Sequence, residues 1–362
     1  METRRDRSVV ETKEVKPITL EQTCVVGSVF FKDYEVPGSE GDIRGREAIN
    51  SIVQAAKKGC KIAFIIDPKT DQKFVDNLKE ELSTLGDKAE NIVWDFQDKE
   101  GYSQSRREAI LLARSKYPDT KAFIMQEIEK DLTEYYEPFL ETLSDDRALV
   151  MMNRGINVPY NLNPWQNVDH INANLPGSQF WGERNQNLKM ARQEEAFGLT
   201  DKKIGNHFWD RLNGTRVVRN EEMSIGGVKI NPSDLMLLRY EYSDGYDEED
   251  RKYKMDTYSA AVYNLIPILE ALGGERQISE TSVQYLHAEE QRKQEEGDTK
   301  YREKRISQKK DLPSINFDMV LNIKEWQEQG KWPQVLVDAL KGDKKLEIKH
   351  FNEDEFYYGY MT

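Results

Sequence analysis

The sequence predicts an α/β protein with a mostly parallel central sheet flanked by helices and with a C-terminal helical extension. Two observations predict this class. Short apolar runs alternate with helical segments from about residue 21 to residue 155, which is the pattern of βαβ units. Glycine or proline ends the helical segments, at Gly59, Gly86 and Pro118. In such sheets ligands bind beyond the carboxyl ends of the strands, so we expect a site in the loops that follow them.

The elements follow one another in a regular order. Strands are predicted at 23–31, 61–67, 91–96, 121–126 and 148–153, helices at 46–59, 74–86 and 105–118, and the segment 132–143 precedes the last of these strands. Residues 156–200 are rich in Asn, Gln, Pro and aromatic residues, which favours an ordered, mostly irregular loop. Later patterns predict a helix at 258–274, a strand at 280–286, a charged helical stretch at 288–311 and an amphipathic segment near 326–340.

These patterns divide the chain into four parts. Residues 1–20 are charged and are predicted to form a flexible arm, 21–155 one α/β half, 156–310 the second half of the same domain, and 311–362 a C-terminal extension with an acidic, aromatic end.

Composition limits the function classes. The net charge of −13 over 362 residues argues against bulk binding of nucleic acid, which requires a basic face. Cys24 and Cys60 lie in segments that are predicted to be buried, which favours reduced core thiols over a disulfide or metal pair. The chain shows neither a signal peptide pattern nor a run of about eighteen apolar residues. We therefore expect a soluble, cytoplasmic protein.

An acidic segment follows the predicted strand at 121–126. In an extended chain, residues two apart point to the same side, so Glu127, Glu129 and Asp131 are expected to converge. Carboxylate oxygens suit Mg²⁺ or Mn²⁺ shared with a diphosphate. The alternative is an acidic helix N-terminus, where these residues only complement the helix dipole.

A basic turn lies at 101–110. Gly101 and two serines lead into a helix whose first turn is predicted to carry Arg106 and Arg107. Helix N–H groups together with guanidinium groups form a phosphate site. The alternative is ordinary helix capping by a serine, with both arginines exposed to solvent.

Two further segments hold candidate residues. In 209–218, Asp210 and Arg216 are expected in a tight turn ahead of an apolar pair, either in a functional role or as an Asp–Arg pair that holds the turn. His287 follows the predicted strand at 280–286 and is either a metal or phosphate ligand or a structural histidine. Gly-rich phosphate motifs, HExxH and GxSxG are missing from the sequence, which argues against Rossmann dehydrogenases, P-loop NTPases, zinc proteases and α/β-hydrolases.

Taken in order over residues 22–310, these segments resemble GT-A glycosyltransferases close to the dolichyl-phosphate mannosyltransferase and mannosylglycerate synthase families. The segments TCVVGSVF and KIAFIID resemble the part of that family that frames the nucleotide base. GYSQSRREAI resembles its donor-facing turn and helix, DRLNGTR its acceptor turn, and VQYLHAEEQ its late strand. The family's D-x-D is replaced here by E-I-E, which leaves open the carboxylate that would hold a metal ion.

The resemblance implies a metal-dependent nucleotide-sugar transferase that moves a sugar from a nucleoside-diphosphate donor to a hydroxyl acceptor. It assigns 21–155 to the donor and 156–310 to the acceptor. The residues that it implies are Ser28, Asp67, Arg106 and Arg107 for the nucleotide, Glu127, Glu129 and His287 for Mn²⁺ or Mg²⁺, and Asp210 and Arg216 for catalysis. A nucleotidyltransferase and a non-catalytic nucleotide-sugar-binding protein remain as alternatives.

Overall fold

The computed structural model of the chain describes residues 17–99, 101–143, 146–153, 177–199, 209, 215–243, 265–273, 275–283, 290 and 312–351. Its strands are β1 (Thr23–Val29), β2 (Lys61–Ile66), β3 (Ile92–Phe96), β4 (Ala122–Met125), β5 (Leu149–Asn153), β6 (Arg216–Arg219), β7 (Met223–Ile225), β8 (Val228–Ile230), β9 (Arg239–Tyr242), β10 (Ile278–Ser282) and β11 (Lys345–Ile348). Its α-helices are α1 (Glu40–Lys57), α2 (Gln72–Ser83), α3 (Tyr102–Lys116), α4 (Tyr136–Thr142), α5 (Gly177–Ala196), α6 (Ile266–Ala271), α7 (Leu312–Glu328) and α8 (Gln334–Lys341). Short 3-10 turns occupy Leu20–Gln22, Gly86–Asn91, Thr133–Tyr135, Pro232–Leu237 and Glu275–Gln277.

Seven of the described strands form the central sheet, in the order β10-β5-β6-β4-β1-β2-β3. The pairs β1–β2, β2–β3, β1–β4 and β5–β10 are parallel, whereas β6 runs antiparallel to both β4 and β5. The predicted class, an α/β protein with a mostly parallel sheet and flanking helices, is therefore confirmed.

Helices cover both faces of this sheet. One apolar cluster joins alternate sheet residues to α1, α2 and α4, and the other joins the remaining sheet residues to α3, α5, α6, α7 and α8. Each strand of the centre is buried on both faces, which is why it appears in the sequence as a continuous apolar run.

The five predicted strands of the first half are confirmed to within two residues at either end. Helix α1, however, begins at Glu40 and not at residue 46. The Ser39 hydroxyl accepts a hydrogen bond from the Asp42 amide at 3.0 Å and caps the helix. A Cβ at Gly41 would lie 1.9 Å from the Lys32 carbonyl oxygen. Gly41 therefore permits close packing here. Because glycine has a low helix propensity, the sequence gives no sign that the helix begins at this point.

The predicted irregular loop over 156–200 is wrong for its second part, because Gly177–Ala196 is helix α5. Residues 154–176 lie outside the described residues, as do most of the predicted charged stretch at 288–311 and the arm up to residue 16. The late strand predicted at 280–286 is β10, which spans Ile278–Ser282. Of the helix predicted at 258–274, the described residues contain the short helix α6, which begins at Ile266 with Leu265 as its N-cap.

The C-terminal segment packs into the same core as the sheet. Helix α7 contacts α5 and α6, and its residues Ile315, Met319 and Ile323 belong to the apolar cluster that also contains Cys24 and Val26 of β1. Strand β11 pairs in parallel with β9 outside the central sheet.

Both cysteines are buried and free, as predicted. Burial raises the pKa of the Cys60 thiol to about 11 and raises that of Cys24 still further. Neither thiol is therefore ionised near neutral pH, as expected of structural cysteines. Among the described helices, none combines the length and the apolar character that crossing a membrane requires.

Candidate functional site

The strand order changes direction between β1 and β4. Strands β2 and β3 follow β1 on one side, whereas β4 adjoins β1 on the other. At such a switch point the loops that leave the two central strands diverge and open a crevice at the carboxyl edge of the sheet. The loops that leave β1, β2 and β4 all lie at this edge, and with them lie most of the described candidate residues.

The loop after β4, residues 126–131, is here called the acidic loop, and it folds over the end of β1. The last register pair of β4 joins Met125 to Val26, so β1 continues beyond its neighbour. The Gln126 amide donates to the Val26 carbonyl at 3.1 Å. A Cβ at Gly27 would lie 2.6 Å from both the Gln126 carbonyl oxygen and Ile128 Cδ1. Only glycine at position 27 lets the loop approach this closely.

Buried hydrogen bonds fix the acidic loop to its surroundings. Gln126 Nε2 donates to the Lys130 carbonyl at 3.0 Å, and Ser51 Oγ of α1 donates to the same oxygen at 3.1 Å. The Tyr136 hydroxyl of α4 donates to Gln126 Oε1 at 3.1 Å. Burial raises the pKa of Tyr136 well above its usual value, which keeps this hydroxyl protonated as a donor. The loop is thus held between α1 and α4.

The three carboxylates of the loop do not share one side of an extended chain, and that prediction is wrong. Strand β4 ends at Met125, and the Lys130 amide donates to the Glu127 carbonyl at 2.9 Å, which closes a turn. A turn rotates successive side chains away from the two-residue alternation on which the prediction depended.

Each carboxylate of the loop has a partner of its own. Glu127 Oε2 lies 2.6 Å from Lys130 Nζ. The Glu129 side chain, only 5% exposed, forms an ion pair with Arg44 of α1. Asp131 Oδ1 accepts hydrogen bonds from the Thr133 amide at 3.1 Å and the Thr133 hydroxyl at 2.7 Å.

The ion pairs and hydrogen bonds of the acidic loop determine whether its carboxylates can hold the expected Mn²⁺ or Mg²⁺. Within the described part of the chain, no three His, Cys, Asp or Glu side chains form a group that could hold a metal ion. Two carboxylates of the acidic loop face cations of the protein, and the third caps a turn. The described donor set therefore does not fit a divalent ion. His287, the remaining predicted ligand, lies outside the described residues.

The other side of the crevice is formed by the ends of β1, β2 and β3. Asp67 follows β2 directly, and its carboxylate accepts a hydrogen bond from the Lys69 amide at 2.8 Å while staying partly exposed. Ser28 lies near the end of β1 and is also partly exposed. Phe30 and Phe96, at the ends of β1 and β3, are 52% and 46% exposed.

The sequence reasoning missed Phe30 as a candidate residue. In the strand order, β2 with Asp67 lies between β1 with Phe30 and β3 with Phe96. Phe96 pairs with Ile66, so its side chain lies on the face opposite to Asp67, whereas Phe30 follows Val29, the partner of Ile66, and shares the face of Asp67. An exposed aromatic ring beside a carboxylate, as at Phe30 and Asp67, suits a flat, hydrogen-bonding ligand such as a nucleobase. The signal available in the sequence was an aromatic residue directly after a strand, in a loop at the carboxyl edge of the sheet.

The predicted positions of Arg106 and Arg107 need correction. Helix α3 begins at Tyr102, so both residues lie in its second turn, and both are buried, with exposures of 2% and 3%. Arg107 Nη2 donates to the Leu238 carbonyl at 3.2 Å. Neither the predicted first-turn phosphate site nor the alternative with exposed arginines matches this geometry, because α3 buries this face against the sheet and the segment before β9.

Arg216 also lies elsewhere than predicted. It is the first residue of β6 and not part of a tight turn, and it is fully buried. Register pairs it with Met125 and Met151, at the same edge of the sheet as the acidic loop. Its side chain points to the α3 side, because Val218, two residues on, packs in the cluster on that side.

Asp210 lies outside the described residues, although its neighbour Trp209 is described and donates its indole N–H to Glu270 Oε1 of α6 at 3.1 Å. Glu290, three residues after His287, accepts from Arg46 Nη2 of α1 at 2.9 Å. Burial raises the pKa of Glu47 on the same helix, and the charges of Glu290 and Asp131 raise it further. Glu290 is thus next to α1, close to the acidic loop.

No known protein family, no curated protein and no solved structure matches this chain.

Proposed function

We propose that this chain is a nucleotide-sugar transferase of the GT-A type, which moves a sugar from a nucleoside diphosphate to a hydroxyl acceptor. The observation that carries the proposal is the sheet itself, with its switch point between β1 and β4 and a single reversed strand, β6, between β4 and β5. The GT-A resemblance implies a mostly parallel sheet flanked by helices, and the switch point supplies a ligand crevice at the carboxyl edge of that sheet. The sheet also gathers Ser28, Asp67 and Glu127 at one edge.

The residues at that edge suit the two ends of a sugar nucleotide. Asp67 offers a partly exposed carboxylate to base N–H groups, and Phe30 offers a ring face. The acidic loop lies across β1 from Asp67, on the β4 side, where the diphosphate and sugar would lie. In the transfer, the acceptor oxygen bonds to the anomeric carbon and the bond from that carbon to the diphosphate breaks. The diphosphate leaves with the electron pair, and a base accepts the hydroxyl proton. Asp210 remains our candidate for that base.

A second candidate is a non-catalytic nucleotide-sugar-binding protein on the same fold. The ion pairs of Glu127 with Lys130 and of Glu129 with Arg44 favour it, because both carboxylates of the E-I-E motif already have partners. The two candidates differ in product formation. Only the transferase releases a free nucleoside diphosphate from the donor in the presence of an acceptor or water.

The first experiment is a thermal-shift panel of the full chain with UDP-, GDP-, ADP- and TDP-linked sugars. A ligand at a hundred times its dissociation constant stabilises the folded state by about 2.7 kcal/mol, which gives a measurable shift. Stabilisation by one base class supports the proposal and identifies the donor. No shift with any of the four would contradict both candidates.

The variant Asp67→Asn tests the assigned base contact. The amide can still accept from the Lys69 amide, so the turn is preserved while the charge is lost. We expect nucleotide affinity to fall about tenfold, which corresponds to about 1.4 kcal/mol. Asp87→Asn is the matched control, since Asp87 precedes β3 at the opposite edge of the sheet. Equal affinities for the two variants would remove Asp67 from the site.

A further inference from the structure

The acidic loop carries its own counter-charges. Glu129 is paired with Arg44, which also contacts Glu40 at 2.7 Å, and Glu127 is paired with Lys130 at 2.6 Å. A loop built to hold a dication is expected to present carboxylates whose charge is available to it. Here the Arg44 guanidinium and the Lys130 ammonium group already neutralise the charges of Glu129 and Glu127.

A divalent ion at this loop would have to break these pairs. To coordinate the buried Glu129, it would displace Arg44 and leave a partly buried guanidinium close to a dication. To coordinate Glu127 at its paired oxygen, it would lie within a few ångströms of Lys130 Nζ, where like charges repel strongly. Mg²⁺ also gives up its water ligands reluctantly. Replacing Arg44 at Glu129, or Lys130 at Glu127, by a divalent ion is therefore unfavourable.

We propose that the acidic loop holds no divalent ion and that Lys130 supplies the positive charge that neutralises the diphosphate of the donor. The inference rests on the proposed function, since it assigns this role within the same site. The geometry that supports it is the Lys130–Glu127 pair at the switch-point edge, in which Glu127 is 22% exposed. A diphosphate carries more negative charge than the carboxylate and can replace it as the partner of the ammonium group.

The fixed backbone of the loop fits this role. Three hydrogen bonds, two of them to the Lys130 carbonyl, hold residues 126–130 against α1 and α4. The Lys130 side chain therefore starts from an immobile backbone and needs only to exchange one oxygen partner for another. A preorganised cation of this kind acts on the leaving group without reorganising the protein.

The metal part of the proposal is tested on the full chain with Mn²⁺ alone, by following the free ion by electron paramagnetic resonance. We expect no saturable binding at the acidic loop. One bound Mn²⁺ that is lost in both Glu127→Gln and Glu129→Gln would overturn the proposal. A bound Mn²⁺ that persists in both variants lies elsewhere in the chain and agrees with it.

The Lys130 part is tested by titrating the nucleoside diphosphate that corresponds to the best donor of the panel, in EDTA and in Mn²⁺. We expect the two dissociation constants to agree within about twofold and Lys130→Met to raise the constant about tenfold in EDTA. Lys130→Arg should restore most of the affinity. The control is Lys121→Met, because Lys121 pairs with Glu221 just before the other end of β4.

The outcomes separate this inference from the proposed function. If EDTA weakens nucleotide binding tenfold or more, or if Lys130→Met binds like the wild type, the inference is wrong while the proposed function stands. If no nucleoside diphosphate binds under either condition, the proposed function fails and the role of Lys130 fails with it. The Mn²⁺ titration still decides whether the loop holds an ion, and melting curves of each variant establish that it is folded.

Discussion

At the scale of single residues, Gly27 shows how one small side chain shapes the site. It lies within β1, but the contact that excludes a Cβ comes from Gln126 and Ile128 of the acidic loop. We predict that Gly27→Ala lowers the free energy of unfolding by about 1–3 kcal/mol, because an added methyl group overpacks a fixed contact. Urea unfolding measures the change. The control is Ser28→Ala, at the next residue of the strand. Equal free energies of unfolding for Gly27→Ala and the wild type would contradict the close packing.

Contacts with Asp318 hold the residues that follow strand β11. Asp318 of α7 accepts hydrogen bonds from the Tyr242 hydroxyl at 2.6 Å and the Phe351 amide at 2.9 Å, and His350 Nδ1 lies 3.2 Å from its carboxylate. Burial raises the pKa of Asp318, although these hydrogen bonds and the histidine act in the opposite direction. The folded state therefore binds the proton more tightly than the unfolded state does.

The sign of the pH dependence follows from that raised pKa. Asp318 favours the folded state below its unfolded pKa, and this contribution is lost as pH rises through the folded pKa. We predict that the protein with Asp318 is more stable, relative to its Asp318→Asn variant, at pH 4 than at pH 7. Both proteins should carry His350→Gln, so that the imidazole does not titrate. Denaturant unfolding at the two pH values measures the difference, and a difference of opposite sign would refute the assignment.

At the scale of elements, the sequence predicted the strands and helices that are marked by a local pattern of residues. The strands β1, β2, β3, β4 and β5 are continuous apolar runs between helices, and the structure places them where the pattern does. Helix α5 was missed because Asn187, Gln193 and Glu194 are buried on it beside Met190. Its buried face is partly polar, so no apolar repeat marks it. Most of α7 was missed because its first twelve residues are buried nearly all round, which removes the amphipathic contrast.

The sequence predicted which loops lie at the carboxyl edge of the sheet but not the geometry of those loops. The alternation of strands and helices identified the loops after β2 and β4, where Asp67 and Glu127 lie at the switch-point edge. The turn at 127–130 and the pairing of Glu129 with Arg44 depend on α1, 85 residues away in sequence. No local pattern encodes such a long-range contact.

Arg107 permits a prediction about how α3 is fixed. Its hydrogen bond to the Leu238 carbonyl joins α3 to the segment before β9. We expect Arg107→Met to lower the free energy of unfolding by about 1–3 kcal/mol, because the substitution keeps the stem but leaves a buried carbonyl with one partner fewer. The control is Lys116→Met, an exposed change in the last turn of α3. A normal stability together with weakened nucleotide binding would instead place Arg107 in the donor site.

At the scale of the whole molecule, the apolar cluster on the α3 side of the sheet runs from β1 to α8. Residues of β1, such as Val26, and of α7, such as Ile323, belong to it together. A C-terminal segment that only extended the domain would lack this shared core. The segment after residue 311 is therefore expected to unfold with the sheet and not before it, because cooperative units follow contiguous packing.

Hydrogen exchange of the native protein tests this expectation by segment. We predict that Ile323→Ala, a buried truncation that costs about 2–5 kcal/mol, accelerates exchange equally in peptides from β1 and from α7. The control is Glu328→Ala at the exposed end of α7, which should leave both unchanged. Acceleration confined to α7 and β11 would show a separately unfolding C-terminal unit and would contradict a single core. Equal acceleration would mean that the sheet and its crevice depend for their stability on the packing of helix α7.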